Sequence, residues 1–487
     1  MSRNNARNNG LVNRRDLLKL GGGAAVGAAM LGACAPAATP EEEPAAPAVM
    51  SDHSSSALLP SGFSAELEWW THTDHDTTVG NVIRAGIDRF REANPGVSVE
   101  LRVFPNREMN DKNRTALLGR QGQPTIFSPL PSYMRDGLLE PLSDKYFEAD
   151  WLKETFGFQE ALYWEGDTYI IPPGSLMTGA FYNKTLWQEG GLTDEDVPRT
   201  WDEMLEIAKM LTQYDDNGDV VTAGLSMHAE AFRIARDWPG QHGGYHYSRE
   251  LGRVFDSTGW RKFMEFYIRA IVEEKVDSPK MPPYLEAFPT NRAAMTVNKG
   301  WLVGTFTNQF PDLEFGVFPT PLAADRPDDG WWGIADDLGF GYTVNQFADD
   351  DEKEAANALL RYLYGDDEFM GRWAVNSAAV PSKLAVREWP EFQAPRIQTF
   401  MLTAPYRAPF GGEEFPRQRE IAKTALESLL QGTSIDDAIA ASQAEMAVVM
   451  EQNAGTPFIV FEPDYKPPAD LSVLEAWSSG EIAYPFS

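Results

Sequence analysis

The chain has one cysteine, Cys34, among 487 residues. An intramolecular disulfide is therefore impossible, and a thiolate metal site would have a single sulfur ligand. Basic residues are few: 42 Lys plus Arg stand against 72 Asp plus Glu, a formal net charge of -30. Such a surface repels phosphate backbones and anionic head groups, which argues against a nucleic-acid partner. No apolar run reaches the roughly 20 residues that a bilayer-spanning helix needs. Beyond Cys34 there is no nucleophile-elbow GxSxG, no zinc-protease HExxH and no phosphate-cradling GxxxxGK. Short internal repeats are absent as well. A glycoside hydrolase needs only two facing carboxylates, so a chain this rich in acids leaves that enzyme class open as an alternative.

What the chain does have begins with its aromatics. Its 14 Trp, 16 Tyr and 27 Phe exceed what a core ordinarily needs, and amphipathic rings serve where a protein grips something both apolar and polar. The first residues have the layout of an export signal: basic Arg3, Arg7, Arg14, Arg15 and Lys19, a Gly/Ala-rich apolar run at 20–31, then Gly32, Ala33 and Cys34. The stretch 13–19, with Arg14 and Arg15 near its start, resembles the twin-arginine export motif, although Asn13 and Leu17 replace its usual residues. Leu31, Gly32, Ala33 and Cys34 resemble a bacterial lipobox, with Gly32 where Ala or Ser is commoner. Together these motifs imply removal of residues 1–33 and lipidation of Cys34, whose acyl chains would anchor an extracytoplasmic protein to the membrane. Residues 34–62 are dominated by Ala, Pro, Glu and Ser, the composition of a flexible tether.

The remaining length suits two lobes of roughly 200 residues each. At 65–71, Leu67 and Trp69 alternate with Glu66 and Glu68, which predicts a strand. At 80–93, Val82, Ile83, Ile87 and Phe90 form one helical stripe that Asn94, Pro95 and Gly96 stop. Then Val97, Val99, Leu101 and Val103 alternate with Ser98, Glu100 and Arg102. Strand, helix and strand in so short a span indicate a parallel βαβ unit and an α/β protein. Further on, Thr200 and Glu203 predict a capping box over a helix carrying Trp201, Met204, Leu205, Ala208 and Leu211. Trp260, Phe263, Met264, Tyr267 and Ile271 form another stripe, as do Ala355, Leu359, Leu360 and Leu363.

Four segments then fall in a telling order: FREANPGVSVE at 90–100, YIIPPGSLMTGAFYNK at 169–184, PRTWDEML at 198–205 and NRAAMTVNKGWLV at 291–303. With them the stretch 64–455 resembles the extracellular, sugar-binding solute-binding proteins that serve ABC importers. The resemblance implies a two-lobed α/β fold of the type II periplasmic-binding-protein kind, with the ligand cleft between the lobes. It implies an N-terminal lobe at 63–174 and 338–400, a C-terminal lobe at 175–337 and 401–460, and a tail at 461–487. The hinge is expected at Pro172, Pro173 and Gly174, with a second crossing near 338–341. The implied activity is capture of a sugar or oligosaccharide and its delivery to permease subunits, by a monomer with no cofactor and no catalytic residues. Binding of another solute or of a metal ion is the alternative, with the hydrolase behind it.

A sugar presents hydroxyls around its ring edge and C–H groups on its faces, so its receptor needs flat aromatics and hydrogen-bonding side chains. Trp70, His72 and Asp74 lie at the end of the first expected strand, where open α/β sheets bind ligands, and a core role is the alternative for Trp70. Trp301 follows Lys299 and Gly300, a turn that would expose its ring, and the resemblance places a ligand-stacking Trp there. Trp331 and Trp332, followed by Asp336 and Asp337, occupy a glycine-rich segment near the second crossing. Trp238, Tyr406 and Arg407 complete the candidates, chosen by region. Asp215, Asn217 and Asp219 repeat like the start of a calcium loop, but Val220 and Ser226 replace its turn glycine and closing Glu, and a hairpin turn is the better reading. His72 with His75 and His242 with His246 could ligate zinc only if the lobes brought them together, and loop histidines of no special role are the simpler reading. No metal is assigned.

Overall fold

The first apolar alternation forms β1 (Ala65–His72), the stripe after it α1 (Val79–Ala93), and the second alternation β2 (Val97–Phe104). β1 and β2 are parallel, from Ala65 opposite Val97 to His72 opposite Phe104. The computed structural model describes residues 59–72, 79–130, 132–157, 163–164, 166–229, 231–234, 238–242, 255, 257–327, 334–337, 341–404, 407–409, 417–454, 472–481 and 484. All of these belong to one compact unit, 50–487.

After β2 come α2 (Asn106–Gly119), β3 (Ile126–Phe127), α3 (Ser132–Arg135), β4 (Leu139–Glu140), α4 (Ala149–Thr155), β5 (Tyr163–Trp164), β6 (Asp167–Thr168), β7 (Gly174–Asn183), α5 (Lys184–Glu189), α6 (Trp201–Leu211), β8 (Gln213–Tyr214) and β9 (Val220–Ser226). The chain continues through α7 (Ala231–Ile234), α8 (Thr258–Ile268), α9 (Tyr284–Ala287), β10 (Ala293–Lys299), α10 (Trp301–Gln309), β11 (Phe315–Phe318), β12 (Ile334–Asp337) and β13 (Thr343–Asn345). It ends with α11 (Asp350–Gly365), α12 (Asp367–Ser377), β14 (Val380–Pro381), α13 (Pro395–Thr403), β15 (Arg407–Pro409), α14 (Gln418–Leu430), α15 (Ile435–Gln452) and α16 (Ser472–Ser479).

Two sheets organise the fold. The first has the order β2-β1-β3-β13-β4, with β1, β2 and β3 parallel and β13 antiparallel to β3 and β4. The two-residue period of a strand sends Trp69 and Trp70 to opposite faces. Trp69 meets the edge of Tyr342, ring centroids 4.7 Å apart, in a core with Ile83 and Phe90 of α1, Leu359 and Leu363 of α11 and Trp373 of α12. Trp70 packs on the other face with Phe104, Leu117 and Phe127.

The second sheet has the order β15-β12-β7-β10-β9-β8, and β11 and β14 also pair with β7. All ten residues of β7 are buried. A strand covered on both faces needs no polar side, so GSLMTGAFYN runs without alternation. Asn183 ends it by capping α5: its Oδ1 accepts from the N–H groups of Thr185 and Leu186 at 3.0 and 3.2 Å. The capping box at Thr200 and Glu203 starts α6 as expected. Gly224 of β9 lies against this helix, and a Cβ there would stand 1.9 Å from the Ala208 carbonyl oxygen. The calcium-like triplet is a hairpin turn between β8 and β9, with Gly218 at φ 79 and Asp215 Oδ1 accepting from the backbone of Asn217 and Asp219 at 2.9 Å each.

α13 packs on β7 and β11, and Thr399 Oγ1 donates to the Val317 carbonyl at 2.9 Å. The sequence places the return to the second lobe after residue 400, and α13 carries residues of both cores before that point, Ile397 in the one around Trp69 and Phe400 in the one around Phe181. No helix among the described residues is long and apolar enough to cross a membrane.

Candidate functional site

The backbone crossings locate the site. Leaving the first sheet, Ile171 bridges Tyr342, whose own segment is returning toward β13. Pro172 and Pro173 then lead into β7, and both their carbonyls are held by Ser382, through its Oγ and, at 3.1 Å, its N–H. The next residues pair β14 with β7, Val380 opposite Ser175. Three passages of chain thus lie side by side where the sheets meet, and the expected hinge residues Pro172, Pro173 and Gly174 are in one of them. Gly341 at the second passage is also described, whereas residues 338–340 lie outside the described residues.

Both sheets turn the carboxyl ends of their parallel strands toward these passages. In the first, β1 ends at His72, β2 at Phe104 and β3 at Phe127, which faces Thr343 just after the crossing. In the second, β10 ends at Lys299 opposite Thr178, in the first half of β7, and the Gly300 N–H donates to the Met177 carbonyl at 2.9 Å. Ligands of open α/β sheets bind beyond such carboxyl edges, where the strand order switches.

Trp301 opens α10 directly after this edge. It is half-buried and packs against both apolar cores, the one around Trp69 and the one around Phe181. Asp336 and Asp337 of β12 lie opposite Met177 and Leu176, on the same edge. Arg407 of β15 sits one strand further out, opposite Ile334. The second sheet therefore gathers four candidates on one rim by backbone position.

Trp70 occupies a different setting. It is 6% exposed, and its indole N–H donates to Glu68 Oε1 at 2.5 Å. Arg102 holds that carboxylate from the other side at 2.9 Å. Its ring nevertheless forms part of the lining of a cavity of about 790 Å3, with Glu108, Asp111, Lys112 and Thr115 of α2 along one wall. These four were not singled out from the sequence, although their spacing is that of one helix face and would have shown a polar stripe beside β2. His72 is 2% exposed, inside the carboxyl end of β1.

Trp238 is a core residue. It is fully buried and stacks on Trp201 at 4.6 Å with planes 18° apart, while Phe263 and Phe266 meet it edge-on. The sequence pointed to this region, but the indole faces inward because the Trp201 start of α6 needs a flat partner. Asp74, Trp331, Trp332 and Tyr406 lie outside the described residues.

Of the histidine pairs, His75 and His246 also lie outside the described residues, and His242 Nε2 lies 2.9 Å from Asp325 Oδ1. Among the described residues no group of three or more His, Cys, Asp or Glu is placed to hold a metal ion. A residue that sequence reasoning passed over is His228, just past the end of β9. Its Nδ1 lies 2.9 Å from Oδ2 of the buried Asp277, which also accepts from the N–H groups of Met227 and His228 at 2.8 Å each.

Known proteins share this architecture and sequence pattern. A binding protein of Brucella abortus (strain 2308) is 22% identical over 304 residues, covering 60% of this chain and 70% of the relative. The structure of UgpB from Mycobacterium tuberculosis, in complex with glycerophosphocholine, superposes with a TM-score of 0.68 at 18% identity, covering 80% of this chain and 100% of that one. The maltose/maltodextrin-binding domain MalE of Bdellovibrio bacteriovorus, bound to maltotriose, gives 0.64 at 21% identity over 80% of this chain and 100% of that one. The fold is thus the two-lobed type II periplasmic-binding-protein architecture. The sequence profile of the bacterial extracellular solute-binding proteins matches residues 74–368, well over half of the chain, and the protein belongs to that family.

Proposed function

We propose that the protein captures a carbohydrate between its two lobes and delivers it to the permease subunits of an ABC importer. The observation that carries this reading is Trp301, a half-buried indole at the carboxyl edge of the second sheet that touches both cores. A flat ring there suits the apolar face of a sugar, and Asp336 and Asp337, whose backbone lies on the same rim, are of the residue type that bonds its hydroxyls. The first lobe contributes the wall of Trp70, Glu108, Asp111 and Lys112, with His72 at the end of β1; Asp74, two residues on in the sequence, belongs to the same proposed site. Trp331, Trp332, Tyr406 and Arg407 belong to the same proposed site. The maltotriose in the MalE neighbour supports a saccharide as the ligand class.

Lobe closure about Pro172, Pro173 and Gly174 buries the ligand, and the closed form is what the permease reads, a population shift set by differential affinity. The protein acts as a monomeric binder with no catalytic step. A melting-temperature screen against mono- and oligosaccharides tests this: a ligand that binds only the folded state raises the transition by mass action. The sugar is to be recovered unchanged. Turnover would point to a hydrolase, and stoichiometric zinc with no sugar response to a metal receptor.

Cys34 fixes the protein to the outer face of the cell membrane by its lipid, with residues 35–62 as the leash. In a bacterial host Cys34→Ser should shift the protein from the membrane fraction to the soluble one or leave an unprocessed precursor. Unchanged partitioning and processing would contradict the anchor.

A further inference from the structure

A second cavity is lined by none of the candidate residues named above, although one wall is the helix that Trp301 begins. It measures about 530 Å3, within the range of small-molecule pockets. Its walls come from α10, the end of α12, the start of α13 and β11, and its apolar surfaces are Val303, Phe315 and Ile397.

The charges in it do not cancel. Lys184 is paired with Asp194 at 2.5 Å, both at the rim. Arg396 has no such partner: its Nε donates to the Phe315 carbonyl at 2.9 Å, and its guanidinium lies over the Phe315 ring, 3.9 Å from the centroid. Among the described residues no carboxylate is within ion-pair distance of it, in a chain where acids outnumber bases 72 to 42. Burial pushes its pKa below the ordinary arginine range, the mark of a desolvated cation. The fields of Tyr484, Tyr182 and Glu314 oppose this shift without cancelling it, and a half-buried cation with no carboxylate in contact, at the wall of a cavity, is a candidate for ligand recognition. Among the described residues its hydrogen bond is that of Nε to the backbone carbonyl, which leaves both Nη groups, in the planar fork that matches a carboxylate.

From this arrangement we infer that the cavity between α10, α12 and α13 is a binding site for a small amphipathic monoanion, a carboxylate with an aliphatic body. The carboxylate takes the Nη groups of Arg396, and the aliphatic part lies against Val303, Phe315 and Ile397. A neutral molecule of the same shape leaves the cation without a partner, and a dianion meets Asp194 at the rim.

Calorimetric titration of the full chain with hexanoate, and with hexan-1-ol as its neutral counterpart, tests this. Hexanoate should bind once per chain, and the alcohol at least tenfold more weakly. Arg396→Met should weaken hexanoate at least tenfold and leave the alcohol unchanged, whereas Arg396→Lys should retain part of the affinity. Thr307→Trp, at an exposed position of α10 on the cavity wall, should block both without disturbing the core. Melting curves confirm that each variant is folded. Equal binding of acid and alcohol would overturn the inference, as would no hexanoate binding or full affinity in a folded Arg396→Met. Binding that appears only after deletion of residues 485–487 would also overturn it, because the cavity would then be the seat of those residues.

Discussion

On the first sheet the tryptophan nearest the cleft, Trp70, lies within a strand, 6% exposed, with its N–H committed to Glu68; on the second, Trp301 begins a helix beyond a strand end and is half-buried against both cores. The same residue type therefore faces two different demands. A strand flanked on both sides must bury whatever points at the neighbouring layer, so Trp70 can offer at most part of a ring to a ligand. A residue at the start of a helix, just past the sheet edge, has only one side committed to packing. On the proposed reading of the site, the strand-end position, more than the presence of an indole, decides which ring is available to a sugar.

The contrast is sharpest with Trp238, and substituting it should have the largest effect. Trp238→Ala removes a fully buried ring stacked on Trp201 and should lower unfolding free energy by about 3 to 5 kcal/mol. Denaturant titration measures this, and sugar affinity per folded molecule should not change. A smaller effect, of the opposite kind, is expected at the cleft: Trp301→Ala should cost about 1 to 3 kcal/mol of binding, roughly ten- to hundredfold in affinity, with a stability loss well below that of Trp238→Ala. Unfolding curves and affinity measured on the same sample separate the two roles. If Trp301→Ala proves as destabilising as Trp238→Ala, or binds normally when folded, the contrast between strand-end and core indoles fails.

How much of this could be read from the sequence follows the same physics. β1, α1 and β2 were legible because α1, β2 and the first half of β1 leave one face less buried, which Glu66, Glu68, Ser98 and Arg102 mark on the strands. The capping box at Thr200 and the turn at Asn217 and Gly218 were legible because they depend on local hydrogen bonds. β7 carries no period, since both its faces are covered, and its role as the central strand of the second sheet emerges only from its partners β10, β11, β12 and β14. The inward-facing indole of Trp238 was not legible, because Trp201 and Phe266 come to it from distant parts of the chain. The packing of α13 on β11, through contacts such as Thr399 to Val317, was not legible for a similar reason, since it depends on partners distant in the chain. The α2 wall of Glu108, Asp111, Lys112 and Thr115 did carry a signal in its spacing, but a polar helical face reads first as a solvated one.

Capture of a saccharide between closing lobes is tested most directly by small-angle X-ray scattering of the protein with and without the sugar that raises its melting temperature. The radius of gyration should fall on saturation, and the fall should be absent in folded Trp301→Ala at the same sugar concentration. A sugar that stabilises the protein while leaving its scattering profile unchanged would contradict closure around the ligand, and with it the assignment of the cleft as the capture site.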